Sequence, residues 1–267
     1  MKVLQSLLGR HYKWLYLLGY QIKASTTYRT SAIIWMIVKL IVIFSTILVW
    51  KVNIDNGSKL FEFKEVLTYY IVGSIIALSN GVHWNVSDRI MKGTLSKYLI
   101  VPSNVMARYI LEDIGWWLFQ NTIEVISLIL IAIFFAGNII LSTPILILNY
   151  IICAIIGYII SIFFSYILGS MAFFLTDAHG ILDLQSQSNY FLSGKAIPLN
   201  STPGLKILTI LPFSYTFYHP IQIYLGKYND AQIIYTIGSG IFWAIVLFIA
   251  ARVIFKFGLK RNEAVGL

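Results

Sequence analysis

The sequence contains a series of apolar runs, each long enough to cross a lipid bilayer, and this feature limits the possible folds more than any other. A hydrocarbon core of about 30 Å is crossed by about 20 helical residues at about 1.5 Å each. Five runs approach or exceed this length, and they cover residues 32–50, 66–84, 114–135, 144–172 and 233–257. We therefore predict an all-α membrane protein, with residues 1–267 forming a single transmembrane domain.

Composition and charge agree with this class. Hydrophobic residues make up 58% of the chain and charged residues 12%, whereas a soluble domain carries about 25% charged residues. The formal net charge of +9 could indicate nucleic acid or acidic lipid. The basic residues flank apolar runs and form no face of their own, so membrane lipid is the expected partner and nucleic acid is not. Cys153 is the single cysteine, which excludes a disulfide within the chain.

Residues 1–29 predict an amphipathic helix that lies in the headgroup region. Leucines recur at helical spacing, and basic and aromatic residues are interleaved with them, as in interfacial helices. Because Arg10, His11 and Lys13 interrupt the apolar region and no small-residue cleavage site follows, we do not expect a secretory signal peptide here.

The region before the last apolar run is the hardest to assign. Residues 178–194 are only weakly apolar, and Pro212 and Pro220 interrupt the next stretch. If 178–194 spans the membrane and 202–225 forms outer re-entrant half-helices, six spans place both termini in the cytoplasm. The inner segments then hold 13 Lys and Arg residues and the outer segments 6, as the positive-inside rule favours. A seventh crossing would remove this excess.

A basic segment at residues 87–108 links the second and third predicted spans and is expected on the cytoplasmic side. Its basic residues are Arg89, Lys92, Lys97 and Arg108. Large apolar residues are interleaved with them: Ile90, Met91, Leu95, Tyr98, Leu99 and Ile100. Because this mixture is too apolar for a solvated loop, we expect lipid headgroups or another protein to cover it.

A polar stripe at residues 185–189 runs all round a short predicted helix, which is untenable against lipid. Its side chains must therefore face water or other helices. Gln185, Gln187 and Asn189 are candidates for lining a translocation pathway, and hydrogen bonding between helices is the alternative.

Two charges lie deep in apolar runs, Lys39 in the first span and Glu124 in the third. An unpaired charge at mid-bilayer costs ~2.5–3.5 kcal/mol on insertion scales, so we predict that the two pair with each other. The alternatives are a lysine that reaches the interface and a protonated, hydrogen-bonded glutamate. An ion- or proton-coupled secondary transporter would also use such residues.

Enzymatic chemistry has little support in the sequence. The phosphate-binding pattern GxxxxGK[ST] is absent, so we expect no ATP binding by this chain, no cofactor and no metal. A membrane-embedded enzyme would have to use Asp177, His179 and Asp183, of which the last two could share a helical face. The other interpretation of these residues is a polar helix start, with Asp177 near the positive end of the helix dipole.

The chain resembles the membrane subunits of ABC exporters of the type-two family, in the branch of paired permeases of about this length. Four pieces carry the resemblance together with the order of the spans: GTLSKYLIVP at 93–102, LSGKAIPL at 192–199, LPFSYTFYHPIQIYLG at 211–226 and FGLKRNEAVG at 257–266. The sequence departs from these relatives at Val101, where they often carry a basic residue before the proline.

The resemblance implies a permease in a bacterial cell membrane that exports an amphipathic or lipid-like substrate. Two permease subunits, identical or a related pair, would form the pathway. Two copies of a separate ABC ATPase would dock beneath them and hydrolyse the ATP. The half-helices before the last span would form an outer cap.

The resemblance also implies that the segment after the second span is the coupling helix, a short surface helix that docks on the ATPase. Ser87 and Asp88 suit a helix start, Gly93 permits a bend, and Pro102 ends the element. The residues expected to dock are Asp88, Arg89, Lys92, Gly93, Leu95, Lys97, Leu99 and Pro102. Ile90, Met91, Leu95 and Leu99 would give contact area, and Arg89, Lys92 and Lys97 would meet acidic groups at its rim. In the alternative, the basic residues contact only anionic headgroups, at ~1 kcal/mol each.

Overall fold

The computed structural model of the protein describes residues 12–56, 61–76, 81–101 and 104–261, and these residues form helices and no strands. The all-α prediction is therefore confirmed for this part of the chain. The α-helices are α1 (Tyr12–Ser25), α2 (Arg29–Asp55), α3 (Phe63–Ile76), α4 (Val82–Met91), α5 (Ser96–Leu99), α6 (Val105–Phe134), α7 (Pro144–Ser170), α8 (His179–Leu192), α9 (Tyr218–Tyr224) and α10 (Asp230–Leu259).

Three stretches of the described chain are both long enough and apolar enough to cross a membrane: Arg29–Asp55, Pro144–Phe173 and Asp230–Leu259. Helix α6 has 30 residues, while α3 and α8 have 14 each, or about 21 Å at 1.5 Å per residue. The second predicted span, 66–84, is covered by α3 and the start of α4, and residues 77–80 between them lie outside the described part. Six spans therefore stay a prediction.

Helix α7 lies at the centre of the fold. Of its membrane-length window 39% is buried inside the protein, against 17% for the windows of α2 and α10. It packs against α10, α4, α9 and the 3₁₀-helix Pro212–Thr216. Small residues let these neighbours approach, as in many membrane helices: Cys153, Ala154, Gly157, Ser161, Ser165, Gly169 and Ser170.

The region predicted as half-helices contains two 3₁₀-helices, Pro203–Ile210 and Pro212–Thr216, followed by α9. The second 3₁₀-helix lies against the middle of α7, where a methyl group on Gly157 would collide with the backbone carbonyl of Tyr215. The Tyr215 hydroxyl reaches the Ser239 hydroxyl of α10 at 2.7 Å. Other parts of the chain thus cover this broken backbone, which is the condition for such backbone inside a membrane, and the re-entrant position stays a prediction.

Helix α1 packs along the first half of α6. The contact is close because Gly115 lacks a side chain, and an added Cβ would lie 2.5 Å from Cβ of Gln21. Leu15, Tyr16 and Tyr20 face away from the fold and are exposed. An exposed face with aromatic rings fits a helix in the headgroup region. Residues 1–11 of the predicted interfacial helix lie outside the described part.

Candidate functional site

The segment predicted to couple to an ATPase, residues 87–108, begins inside a helix rather than at a helix start. Helix α4 runs from Val82 to Met91 with Gly81 at its N-cap, so Ser87 lies in the helix interior and is buried. The predicted cap at Ser87 is therefore wrong. The helix starts earlier because Val82, together with the apolar residues one and two turns further on, is buried in the core formed with α7.

The bend predicted at Gly93 is present. Gly93 has φ +66°, a left-handed conformation that glycine adopts without the strain of a side chain. The backbone N–H of Lys92 donates to the carbonyl of Asp88 before the bend, and that of Leu95 donates to the carbonyl of Arg89 after it. The chain then forms α5. Pro102, the predicted end of the element, lies outside the described residues.

The apolar residues of the segment divide into a buried and an exposed set. Ile90 and Leu95 are buried in the core of this chain, so the expectation that they offer contact area to a partner is wrong. The exposed set consists of Met91, Leu99, Ile100 and Val101, of which Ile100 is 81% exposed. Lys92 and Lys97 lie exposed among them. We call these six residues the docking surface.

Glu112, on α6, fixes this segment to the rest of the fold. Its carboxylate pairs with Arg89 at 2.8 Å and with Arg108 at 3.5 Å, and it accepts a hydrogen bond from the Tyr98 hydroxyl at 3.2 Å. Glu112 is 8% exposed. The two ion pairs and the charge-assisted hydrogen bond from Tyr98 therefore hold α4, α5 and α6 together at this carboxylate.

Aromatic rings complete this cluster. The Arg89 guanidinium lies 4.0 Å from the ring centroid of Tyr98 and 4.9 Å from that of Tyr109. The Arg108 guanidinium also lies 4.0 Å from the ring centroid of Tyr98. The two tyrosine rings are stacked at 5.6 Å. Burial raises the pKa of Tyr98, and the negative charge of Glu112 acts in the same direction. Tyr98 therefore keeps its proton and remains a donor.

These contacts change the role predicted for Arg89. The sequence suggested that it would meet acidic groups of a partner, but its guanidinium faces Glu112 of its own chain. Arg108 and Glu112 are four residues apart on one helix, and this spacing could have indicated the pair. Nothing in the sequence indicated that Arg89 and Tyr98 would join them. Asp88 and Lys92 form an exposed pair of their own.

A polar cavity of about 360 Å³ lies behind the cluster, between α1, α4 and α6. Asp113 lines it and is buried. The Asp113 carboxylate accepts a hydrogen bond from the backbone N–H of Gly81 at 2.7 Å and from the Tyr158 hydroxyl at 2.9 Å. The Asp113 carboxylate thus links the start of α4 to α6 and α7. The neighbouring Glu112 carboxylate links the end of α4 to α6.

The three polar residues predicted to line a pathway, Gln185, Gln187 and Asn189, differ in their surroundings. Asn189 accepts a hydrogen bond from the Thr216 hydroxyl at 3.2 Å, which supports the interhelical role for this residue. Gln187 is exposed on the surface of the single chain. The side chain of Gln185 lies outside the described part. A role in lining a pathway stays a prediction for Gln185 and Gln187.

Lys39 and Glu124 lie on neighbouring helices. The Ser127 hydroxyl of α6 contacts the Met36 sulfur of α2 at 2.8 Å, and each of these residues is one turn from the predicted pair. The side chain of Glu124 lies outside the described residues. The pairing of Lys39 with Glu124 therefore stays a prediction.

The residues that a membrane-embedded enzyme would have to use, Asp177, His179 and Asp183, lie at the start of a helix. Asp177 accepts a hydrogen bond from the backbone N–H of His179, the first residue of α8, at 2.9 Å and also contacts its ring at 2.6 Å. These hydrogen bonds lower the pKa of Asp177. Asp183 is exposed, and the described residues contain no group of three His, Cys, Asp or Glu side chains that could hold a metal.

A family model described as "ABC-2 family transporter protein" matches residues 27–266. The match includes residues 87–108, residues 202–225 and α10. A search of curated proteins finds no match to the chain.

Proposed function

Because this chain belongs to the ABC-2 family of transporter membrane proteins, we propose that it is the permease subunit of an ABC exporter for an amphipathic or lipid-like substrate. Membership confirms the resemblance predicted from the sequence. Such permeases are transport subunits rather than enzymes, and an ABC system includes an ATPase. Two ATPase copies, and a second permease that is identical or related, complete the proposed complex.

The docking surface is the single observation that carries this proposal. Its four apolar side chains project from the fold next to Lys92 and Lys97. Large apolar groups exposed together at one place indicate an interaction site. A groove on the ATPase would bury them, and acidic residues at the rim of that groove would face the two lysines.

The Glu112 cluster supports coupling because it makes the docking surface part of a rigid unit. Tyr98 and Arg89 belong to the segment, while Glu112 belongs to α6, which continues for about 33 Å beyond it at 1.5 Å per residue. A movement of the segment by the ATPase would therefore move α6 with it. The bend at Gly93, with the hydrogen bonds of Lys92 and Leu95 on either side of it, sets the angle between α4 and α5.

A groove between α6 and α7 supports the substrate class. It has a volume of about 380 Å³ and an almost wholly apolar lining, with Asn121 and Thr122 as its polar members. Both polar side chains donate to carbonyls of their own helix. The walls therefore suit an alkyl chain better than a hydrated solute.

The orientation in the membrane is proposed from charge. Arg89, Lys92, Lys97 and Arg108 lie at the end of the fold where α6 begins and α10 ends. The half-helices lie towards the opposite end, where Lys227 pairs with Glu65. We place the end that carries the four basic residues in the cytoplasm, together with both termini. The half-helices then lie on the outer side.

Purification of the permease together with its ATPase tests the proposal. Ile100→Asp should weaken ATPase binding by about tenfold or more, since burial of one large apolar side chain contributes ~1.5–3 kcal/mol. Leu141→Asp is the matched control, because Leu141 is 87% exposed in the loop before α7 at the opposite end. The proposal fails if no ATPase accompanies the wild-type permease, or if the two variants retain equal amounts of it.

A further inference from the structure

We propose that a groove between the start of α6, the end of α7 and the end of α10 binds an anionic phospholipid of the inner leaflet. The groove has a volume of about 600 Å³. Its apolar part includes Met106, Phe248, Ile249 and Val253, and its basic part consists of Arg252 and Lys256. A phospholipid offers the same two parts, an acyl chain and a phosphate.

The two basic residues share one face of α10 because they are four positions apart. Both are exposed, and the described residues that line the groove include no acidic one. The Arg252 guanidinium also lies 5.6 Å from the ring centroid of Phe248, which holds it over the groove. The site therefore has a net positive charge that a phosphate would balance.

The depth of these residues fits a lipid. Arg252 and Lys256 are 22 and 26 residues from the start of α10, or about 33 and 39 Å along the helix, which is the headgroup level for a core of about 30 Å. Phe248 and Ile249 lie up to one turn deeper, at the level of the acyl chains. The basic and the apolar parts thus follow the order that a phospholipid has across its leaflet.

Tyr166 gives a second, independent observation. It lines the groove from α7, and its side chain is 1% exposed. Its buried hydroxyl has no hydrogen-bond partner among the described residues. A buried hydroxyl without a partner is costly, and a small movement of the ring towards the groove would let a lipid phosphate or ester oxygen accept its hydrogen bond.

This inference does not depend on the proposed transport function, because it concerns binding by the permease alone. A second macromolecule would need a wide contact area, whereas the groove has a volume of only about 600 Å³ and lies at headgroup depth. A free phosphate would leave the apolar part empty. The phospholipid is the occupant that uses the whole groove.

Native mass spectrometry of the full chain in detergent tests the site, with phosphatidylglycerol as the probe and phosphatidylcholine as the neutral comparison. The wild-type chain should retain one phosphatidylglycerol in preference to phosphatidylcholine. Arg252→Gln combined with Lys256→Gln should weaken this retention roughly 30-fold, from the contribution of two basic residues near an anionic group. Tyr166→Phe should weaken it by several fold without changing the shape of the site.

Lys260→Gln combined with Arg261→Gln is the matched control, since it removes the same charge from the same end of α10 outside the groove. This control should retain the lipid as the wild type does. An equal loss in both double variants would overturn the site, because it would show general attraction to basic residues. Displacement of the lipid by inorganic phosphate would overturn the phospholipid assignment. Gel filtration of each variant verifies folding, and Tyr166→Phe keeps the test valid if a double variant unfolds.

Discussion

Arg89 and Glu112 form an ion pair of 2.8 Å that joins the end of α4 to the first third of α6. Glu112 is the more buried partner. It also pairs with Arg108 and accepts a hydrogen bond from the Tyr98 hydroxyl. One carboxylate therefore determines where the docking surface stands relative to a membrane-length helix. The first prediction follows from this arrangement.

Glu112→Gln should destabilise the permease and weaken the control of ATP hydrolysis by substrate. The amide keeps the shape of the side chain but leaves two guanidinium groups without a charged partner. Because Arg89 and Arg108 are partly exposed, we expect a loss of ~1–3 kcal/mol, below the cost of breaking a fully buried pair. Thermal unfolding in detergent and substrate-stimulated ATPase activity of the complex measure the two effects.

Asp88→Asn is the control for that variant. It removes the same kind of charge from the exposed pair with Lys92, and such pairs contribute ~0–1 kcal/mol. Its stability should stay close to that of the wild type. If Glu112→Gln and Asp88→Asn behave alike in both measurements, Glu112 does not link the docking surface to α6.

Gly157→Ala should destabilise the fold by displacing the 3₁₀-helix Pro212–Thr216. The added methyl group would collide with the backbone of Tyr215, which cannot rotate away as a flexible side chain would. Overpacking of this kind costs ~1–3 kcal/mol. The melting temperature of the purified permease measures the loss, and it should be accompanied by faster proteolysis near residues 203–216.

Gly180→Ala supplies the matched comparison, because Gly180 lies in α8 with open space around it. Alanine is the better helix former by ~1 kcal/mol, so this variant should be as stable as the wild type or more stable. A melting temperature of Gly157→Ala that equals that of Gly180→Ala would show that the segment does not pack against the centre of α7.

Asn200→Cys should react with a membrane-impermeant maleimide in intact cells, and Lys97→Cys should react only after the cells are opened. The first position lies beside the half-helices, and the second lies on the docking surface; both are exposed. Cys153 is buried, so the wild-type chain provides the unlabelled background. Labelling of Lys97→Cys in intact cells would contradict the proposed orientation.

Lys39→Met and Glu124→Gln should each destabilise the permease more than the two substitutions together. A single substitution leaves one charge in the membrane without its partner, which is the larger penalty. A double-mutant cycle measured by thermal unfolding gives the coupling, which should be ~0.5–3 kcal/mol for residues in contact. Additive losses would mean that the two side chains do not meet.

The residue pattern predicted the helical class, the family and the bend at Gly93, because each depends on local features. The length of an apolar run determines whether the segment suits a membrane. A glycine can itself adopt the left-handed conformation that a bend needs. The wrong expectations concern orientation. Leu95 and Leu99 look equivalent in the sequence, yet Leu95 is buried in the core and Leu99 is exposed. A charge introduced at Leu95 would disturb the fold before it disturbed any partner.

The sequence by itself determined which residues are apolar, where the charges cluster and how long each apolar run is, since each of these properties depends only on residues that are close together along the chain. Only the tertiary structure decided that Arg89 faces inward, because its partner Glu112 is 23 positions away and Tyr98 reaches the same carboxylate from beyond the bend. It also decided that the segment around Tyr215 packs against the middle of α7, about 60 residues earlier in the chain. Burial and pairing depend on the neighbours that folding brings together, and the spacing of residues along one helix does not specify them.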